Sequence, residues 1–270
     1  MPSVDGRLSP ERLLRSAGSM TTLVRMGDAS GLRPLATTIL SRKGWLSEQP
    51  AELRATVLES VRVRRFDTGD ALFRYGEPSE GLFGLVCGRV KFRTSTREGR
   101  ELVQGLMGSG GWFGEVSLFD GEPRAQDAVA LGQTVAVLFP VDRFRALTEA
   151  QPQYLRNFAQ IMTRNIRAMT AFTYEVASAP PSARVERLLG FLLRHELAQA
   201  DNSSVVLDVG QEVLAAVVGL SRQTVNRELN RLGAAGVLEC RYGRVVVDAG
   251  VMRRLAGTDE EILAGHTGTG

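Results

Sequence analysis

Histidine and cysteine are nearly missing from this 270-residue chain, which has two of each, and the cysteines, Cys87 and Cys240, lie far apart. That inventory cannot furnish the four thiolates of an iron–sulfur cluster or the ligands of a usual zinc site, so no metal or covalent cofactor is expected. Long apolar runs are absent too. Nothing approaches the ~18 residues of a membrane-spanning helix, and the first thirty residues lack the apolar core of a signal peptide. A cytoplasmic protein without a membrane partner is expected. No strong excess of one charge is present either: the net charge is +3 and the pI about 9.2, a weak pointer to nucleic acid. What is there is a hydrophobic share of 43% against 23% charged residues, enough to bury cores, over a length that suits two domains.

Residues 1–44 mix Ser, Gly, Arg and scattered Leu without a sustained period and read as an N-terminal extension, flexible or only locally helical. Between Val61 and Phe139 the texture changes to short β-type runs punctuated by Gly, Asp and Pro (VRVRRF, ALFRYGEP, GLFGLVCGRVKFRT, EGRELVQGLMGSGG, AVALGQTVAVLFP). Many short strands joined by turn residues predict a β-sandwich or barrel.

After Pro152 the pattern predicts an unbroken helix to about Ala177. Leu155, Met162, Met169 and Val176 fall seven residues apart, with Ala159, Ile166 and Thr173 between them, the a/d spacing of a short two-stranded coiled coil. Phe158, Ile161 and Phe172 lie off that seam and also need burial, so the helix can equally pack on its own β-domain, or do both. Ser178-Ala179-Pro180-Pro181-Ser182 breaks the helix and reads as a linker. Beyond it Val185, Leu188, Leu189, Leu192 and Leu193 recur at helical spacing, with Ser182 as the expected N-cap.

Gln211 to Glu239 is the most informative segment. Val213, Leu214 and Val217 give a first helix its apolar face, and Gly219 permits the turn that ends it. Ser221 can cap a second helix, Arg222 to Leu232, whose Val225, Leu229 and Leu232 point inward. Arg222, Gln223, Asn226 and Arg227 then lie outward near its start. This is the pattern of a helix-turn-helix, which inserts its second helix into the major groove of DNA. Arginine can donate twice to guanine O6 and N7, and Gln pairs similarly with adenine. VLECRYGRVVV reads as a β-hairpin turning at Tyr242-Gly243, a wing carrying Arg241 and Arg244 toward phosphates. From Arg222 to Arg254 seven arginines stand against Glu228, Glu239 and Asp248. The plainer alternative is a structural helical hairpin with a solvated arginine face.

Gly111 to Leu131, GWFGEVSLFDGEPRAQDAVAL, is the second motif. Gly114 offers an unobstructed N–H, Glu115 can accept from a ribose hydroxyl and Arg124 can pair with a phosphate, so the set suits an anionic sugar-phosphate. No histidine, cysteine or carboxylate cluster nearby offers a nucleophile, and an enzyme is not expected.

Across about residues 45–256 these two motifs resemble the cyclic-AMP receptor protein/FNR (Crp/Fnr) family of bacterial transcription regulators. Its phosphate-binding cassette matches at Gly114, Glu115, Ser117, Leu118 and Arg124. The sequence departs at Ala125, where the cassette has a hydroxyl, and at Gln126-Asp127, whose acid would lie close to the phosphate. The resemblance implies an α+β chain with a cyclic-nucleotide-binding-type β-roll (45–150), a long dimerisation helix (151–178), a winged helix-turn-helix domain (179–257) and a tail (258–270). It implies a homodimer on an inverted-repeat operator in double-stranded DNA, with RNA polymerase as a further partner. Ligand-binding residues would be Gly114, Glu115, Val116, Ser117, Arg124 and Ala125, with Met169 and Thr170 at the adenine-contacting positions of the long helix. DNA-binding residues would be Ser221, Arg222, Gln223, Thr224, Asn226, Arg227 and Arg244. The effector stays open among a cyclic nucleotide (cAMP or cGMP), another small molecule, and a ligand-free roll in which Glu115 and Arg124 form a structural ion pair.

Overall fold

The computed structural model describes residues 29–95, 101–197, 204–207, 210–241 and 244–248. They form two compact units, the second taking the chain from Ala171 onward together with residues 101–103, and the first taking the rest.

The first unit contains α1 (Ala29–Leu40), a 3-10 turn (Trp45–Glu48), α2 (Ala51–Ser60), eight strands, a one-turn helix and α4. The strands are β1 (Arg62–Phe66), β2 (Ala71–Phe73), β3 (Gly81–Cys87), β4 (Arg89–Ser95), β5 (Glu101–Gly108), β6 (Trp112–Phe113), β7 (Asp127–Ala130) and β8 (Thr134–Pro140); α3 (Val116–Phe119) follows β6 and α4 (Val141–Ala150) follows β8. Two four-stranded sheets result, ordered β1-β8-β3-β6 and β2-β7-β4-β5. In the first, the central strands β3 and β8 are buried on both faces, which explains why they read as continuous apolar runs rather than alternating ones. Their period of two still sorts the side chains. Leu82, Val86, Val135, Val137 and Phe139 pack toward the helices, while Phe83, Leu85, Ala136 and Leu138 join Phe73, Phe92 and Phe113 between the sheets.

The N-terminal expectation changes here. Ala29–Leu40 is a helix whose Leu32, Leu35, Ala36 and Leu40 belong to the main core, so the core of this unit reaches back beyond residue 45. Burying each of those leucines contributes about 1.5–3 kcal/mol. Pro34, midway along this helix of about three turns, hides the periodicity in the sequence. Arg33 ties α1 down by donating to the carbonyl oxygens of Leu58, Glu59 and Val61.

α5 (Tyr154–Ser178) confirms the predicted long helix. Tyr154, Phe158 and Ile161, spaced i, i+4, i+7, are buried, and Phe158 lies against the rings of Trp45, Phe139 and Phe144. Leu155, Ile166 and Met169 on the heptad seam are exposed. One face therefore packs on its own β-domain and the other is left open. The side chain of Val176 lies outside the described residues.

The second unit contains α6 (Pro181–Leu197), β9 (Ser204–Leu207), α7 (Gln211–Val218), α8 (Arg222–Ala234), β10 (Leu238–Arg241) and β11 (Arg244–Asp248). Ser182 is not the N-cap of α6: the helix opens on Pro181, which needs no N–H at a first helical position, and Ser182 falls inside the first turn. Val185, Leu188, Leu189 and Leu192 are buried as expected; the side chain of Leu193 lies outside the described residues. The strands form a sheet ordered β10-β11-β9, and Arg241 pairs with Arg244 across the predicted hairpin. The turn at Tyr242-Gly243, residues 1–28 and the expected tail 258–270 lie outside the described residues.

Candidate functional site

The cassette sits where β6 runs into α3. Gly114 has φ +88°, a conformation that L side chains rarely adopt, and an added Cβ would stand 2.7 Å from a terminal nitrogen of Arg124. Arg124 is only 2% exposed. Its guanidinium points inward, donating to Gly114 O and Gly81 O at 2.7 Å each, with its carbon 4.3 Å from the Phe73 ring centre. Burial pulls its pKa down to about 10 against the opposing pull of Glu80, Glu115 and Glu77. Its Nε has no partner.

Glu115 is buried beside it, and burial raises its carboxyl above the ordinary glutamate range. It accepts a 2.9 Å hydrogen bond from Asn165 of α5, whose amide also donates to Trp112 O at 3.0 Å. The expected juxtaposition of Gly114, Glu115 and Arg124 is thus present, although all but the Arg124 Nε already have internal partners. Gly114 gives its carbonyl oxygen to Arg124, while its backbone N–H is engaged by the Glu115 carboxylate. No ion pair joins Glu115 to Arg124 within the described residues; the arginine holds backbone oxygens instead. Ser117 is buried, whereas Val116 and Ala125 are exposed. Asp127 is not turned loose on the anion position. It accepts from Arg93 Nε at 3.2 Å and from the Tyr75 N–H at 2.8 Å, so its charge is already matched.

Met169 is 49% exposed, and the hydroxyl of Thr170 donates to Ile166 O within the helix. The helix residue that hydrogen-bonds to the cassette is Asn165, one turn before Met169, which the sequence reading missed. A signal existed: Asn165 continues the buried stripe of Phe158 and Ile161, and a polar residue there needs a polar partner.

The second candidate surface is α8. Gly219 ends α7 in the left-handed region (φ 64°, ψ 36°), and Ser221 caps α8 by accepting from the Thr224 N–H at 3.1 Å. Val225, Leu229 and Leu232 are buried, with Leu214, Val217 and Val218 of α7; Val213 is only half-buried. Arg222, Gln223, Asn226 and Arg227 are exposed and, with Thr224 and Asn230, line one shallow concavity. Arg222 Nη1 lies 3.1 Å from Glu212 Oε1, and Asn226 Nδ2 donates to Gln211 Oε1 at 3.3 Å. Asn230 donates to Asn226 Oδ1 at 2.9 Å. Glu228 is buried, lying 2.9 Å from Arg231, which also pairs with Glu186 of α6. Arg244 lies at the start of β11, its side chain outside the described residues. Among the described residues no helix is long and apolar enough to cross a membrane, and no three His, Cys, Asp or Glu side chains are grouped to hold a metal.

Comparison with known proteins meets this geometry at both places. A cyclic nucleotide-binding domain model matches residues 63–151, and a Crp-like helix-turn-helix domain model matches residues 186–255. The CRP-like cAMP-activated global transcriptional regulator of Mycobacterium tuberculosis is 28% identical over 192 residues, 71% of this chain and 86% of that protein. The cyclic AMP receptor protein of Thermus thermophilus is 28% identical over 74% of this chain and 90% of its own length. Among solved structures, the c-di-GMP responsive global regulator CLP of Xanthomonas campestris is 26% identical with a TM-score of 0.60, covering 74% of this chain and 99% of that one.

Proposed function

Because the chain belongs to the Crp/Fnr family of transcription regulators, we propose that it acts in the cytoplasm as a homodimer reading an inverted-repeat operator through α8, under control of a cyclic nucleotide in the β-roll. The observation that carries the DNA reading is the division of α8. Val225, Leu229 and Leu232 seal one side, and the capped N-terminal turn offers Arg222, Gln223, Asn226 and Arg227 outward. Residue types that pair with guanine and adenine edges stand where a recognition helix enters the major groove. The open seam of Leu155, Ile166 and Met169 supports pairing through α5. A two-fold dimer sets its recognition helices about 34 Å apart, one turn of DNA. RNA polymerase is the expected partner of such a regulator on DNA.

The donors of the cassette fit a cyclic nucleotide in kind. Arg124 is a buried cation with an unpartnered Nε, suited to the phosphate, and Glu115 is suited to a ribose hydroxyl. Each must first release Gly81 O, Gly114 O or Asn165. Ala125 withholds the hydroxyl contact of the family cassette, about 1.5–3 kcal/mol, roughly ten- to a hundredfold in affinity. Relatives include regulators described as responsive to cAMP and to c-di-GMP, so both classes belong in the test. The internal bonds of Arg124 favour a second reading, a regulator that is effector-independent or controlled by a protein partner, with the roll ligand-free.

Footprinting over the chain's own promoter and its neighbours tests the DNA reading: protection of an inverted repeat is expected, with a dimer in sedimentation. A lone protomer at micromolar concentration contradicts it. Thermal shift against cAMP, cGMP and cyclic dinucleotides separates the two effector readings, since stabilisation by one supports sensing and none supports the ligand-free roll.

A further inference from the structure

The first residues of α7 engage the reading side chains of α8 in a way that the family resemblance did not assign. Glu212, itself exposed, accepts from Arg222 at 3.1 Å, and Gln211 accepts from Asn226 at 3.3 Å. Asn226 is held from the other side by Asn230, so its amide and its carbonyl are both used. Consecutive residues at one end of α7 thus each hold a different base-facing side chain of α8.

Resting on the DNA-reading proposal above, we infer that Gln211 and Glu212 are specificity-determining positioning residues of the recognition surface. An exposed ion pair adds little to stability, so the value of Glu212 lies elsewhere. An arginine without a carboxylate partner attaches to any phosphate it meets, and such contacts carry no sequence information. With Glu212 in place, a single phosphate must compete with a carboxylate already paired to Arg222. A guanine offering O6 and N7 together replaces that partner with two aligned acceptors. The carboxylate also repels the phosphate backbone as the surface approaches. Glu212 therefore lowers binding to arbitrary DNA more than binding to the correct site. Gln211 acts on Asn226 in the same sense, fixing which way its amide faces an adenine edge.

The test uses the full-length chain and duplexes with randomised half-sites. Wild type, Glu212→Gln, Glu212→Asp, Gln211→Ala, Arg222→Ala and the Arg222→Ala/Glu212→Gln double variant are compared for selected bases, affinity for a duplex lacking the repeat, and salt dependence. Glu212→Gln is expected to tighten binding to the unrelated duplex several-fold and to steepen the logarithmic salt slope by about one, the signature of one added phosphate contact. It should weaken guanine preference at the position read by Arg222 and leave the others intact. In the Arg222→Ala background the same substitution should do nothing further to base preference. Glu212→Asp, which keeps the charge, should keep the wild-type slope, and Gln211→Ala should relax an adenine position. If wild type selects a repeat while the Glu212 and Gln211 variants select the same repeat with the same slope, the inference fails and the DNA-reading proposal stands. If wild type selects no sequence at all, both fall.

Discussion

Arg124 and Arg222 are the same side chain set in opposite surroundings. Arg124 is sealed in the β-roll, bonded to two backbone oxygens and stacked on Phe73, with burial holding its pKa near 10. Arg222 stands with its side chain 66% exposed at a helix start, touching one exposed carboxylate. The start of α8 is thus open to solvent, whereas the cassette has turned its ligand-type groups on itself. Opening the cassette requires replacement of internal hydrogen bonds, so only a ligand that supplies better ones can shift it. The contrast teaches that the motif alone marks a place, and the partners of its residues decide whether the place is ready.

The sharpest way to break that comparison is Arg222→Ala. If the open arginine reads a base in each half-site, its loss removes two bidentate contacts, about 2–6 kcal/mol, and operator protection in footprinting should disappear. Wild-type protection would mean that another face reads DNA. Next, Gly114→Ala puts a Cβ against Arg124 on a positive-φ residue. A loss of about 1–3 kcal/mol in chemical denaturation is expected, showing that the closed cassette is built around this contact. Ser221→Ala removes the cap that presents the α8 start and should lower stability by about 1 kcal/mol in the same measurement.

The smallest expected effect concerns Glu115. Burial raises its folded carboxyl pKa above the usual 4.5, so the folded state binds this proton more tightly than the unfolded chain does. The stability from that proton is full below the unfolded value and is lost as pH rises through the raised one. Glu115→Gln, which can still accept from Asn165, should therefore melt above wild type at pH 7. The gap should close as the pH falls toward 4. A melting difference independent of pH would contradict the buried, charge-averse carboxyl.

The sequence made the helix-turn-helix legible because its signals are local. The Ser221 cap, the Gly219 turn and the inward Val225, Leu229 and Leu232 all act within a few residues and all recur in the structure. The strands of the roll were legible for the same reason. The cassette was legible in membership, since Gly114, Glu115 and Arg124 do meet, but not in orientation. The partners that turn Arg124 inward, Gly81 O and Phe73, lie some forty to fifty residues upstream, and carbonyl oxygens leave no mark in a sequence. Asn165 was passed over because the helix was read by its heptads, while the stripe that meets the roll runs one face away. The Ser182 cap failed on a helix boundary, because Pro181 opens α6, and the core leucines of Ala29–Leu40 lay in a stretch read only as an extension, flexible or locally helical, where Pro34 blurred the pattern.

The central claim is that the exposed start of α8, presented twice by a dimer, reads duplex sequence. Its most direct test is the affinity of the full-length chain for its selected inverted repeat, set against a scrambled duplex of the same composition at one fixed salt concentration. The account predicts a preference of about a thousandfold or more for the repeat. Equal affinity for the two duplexes would contradict it.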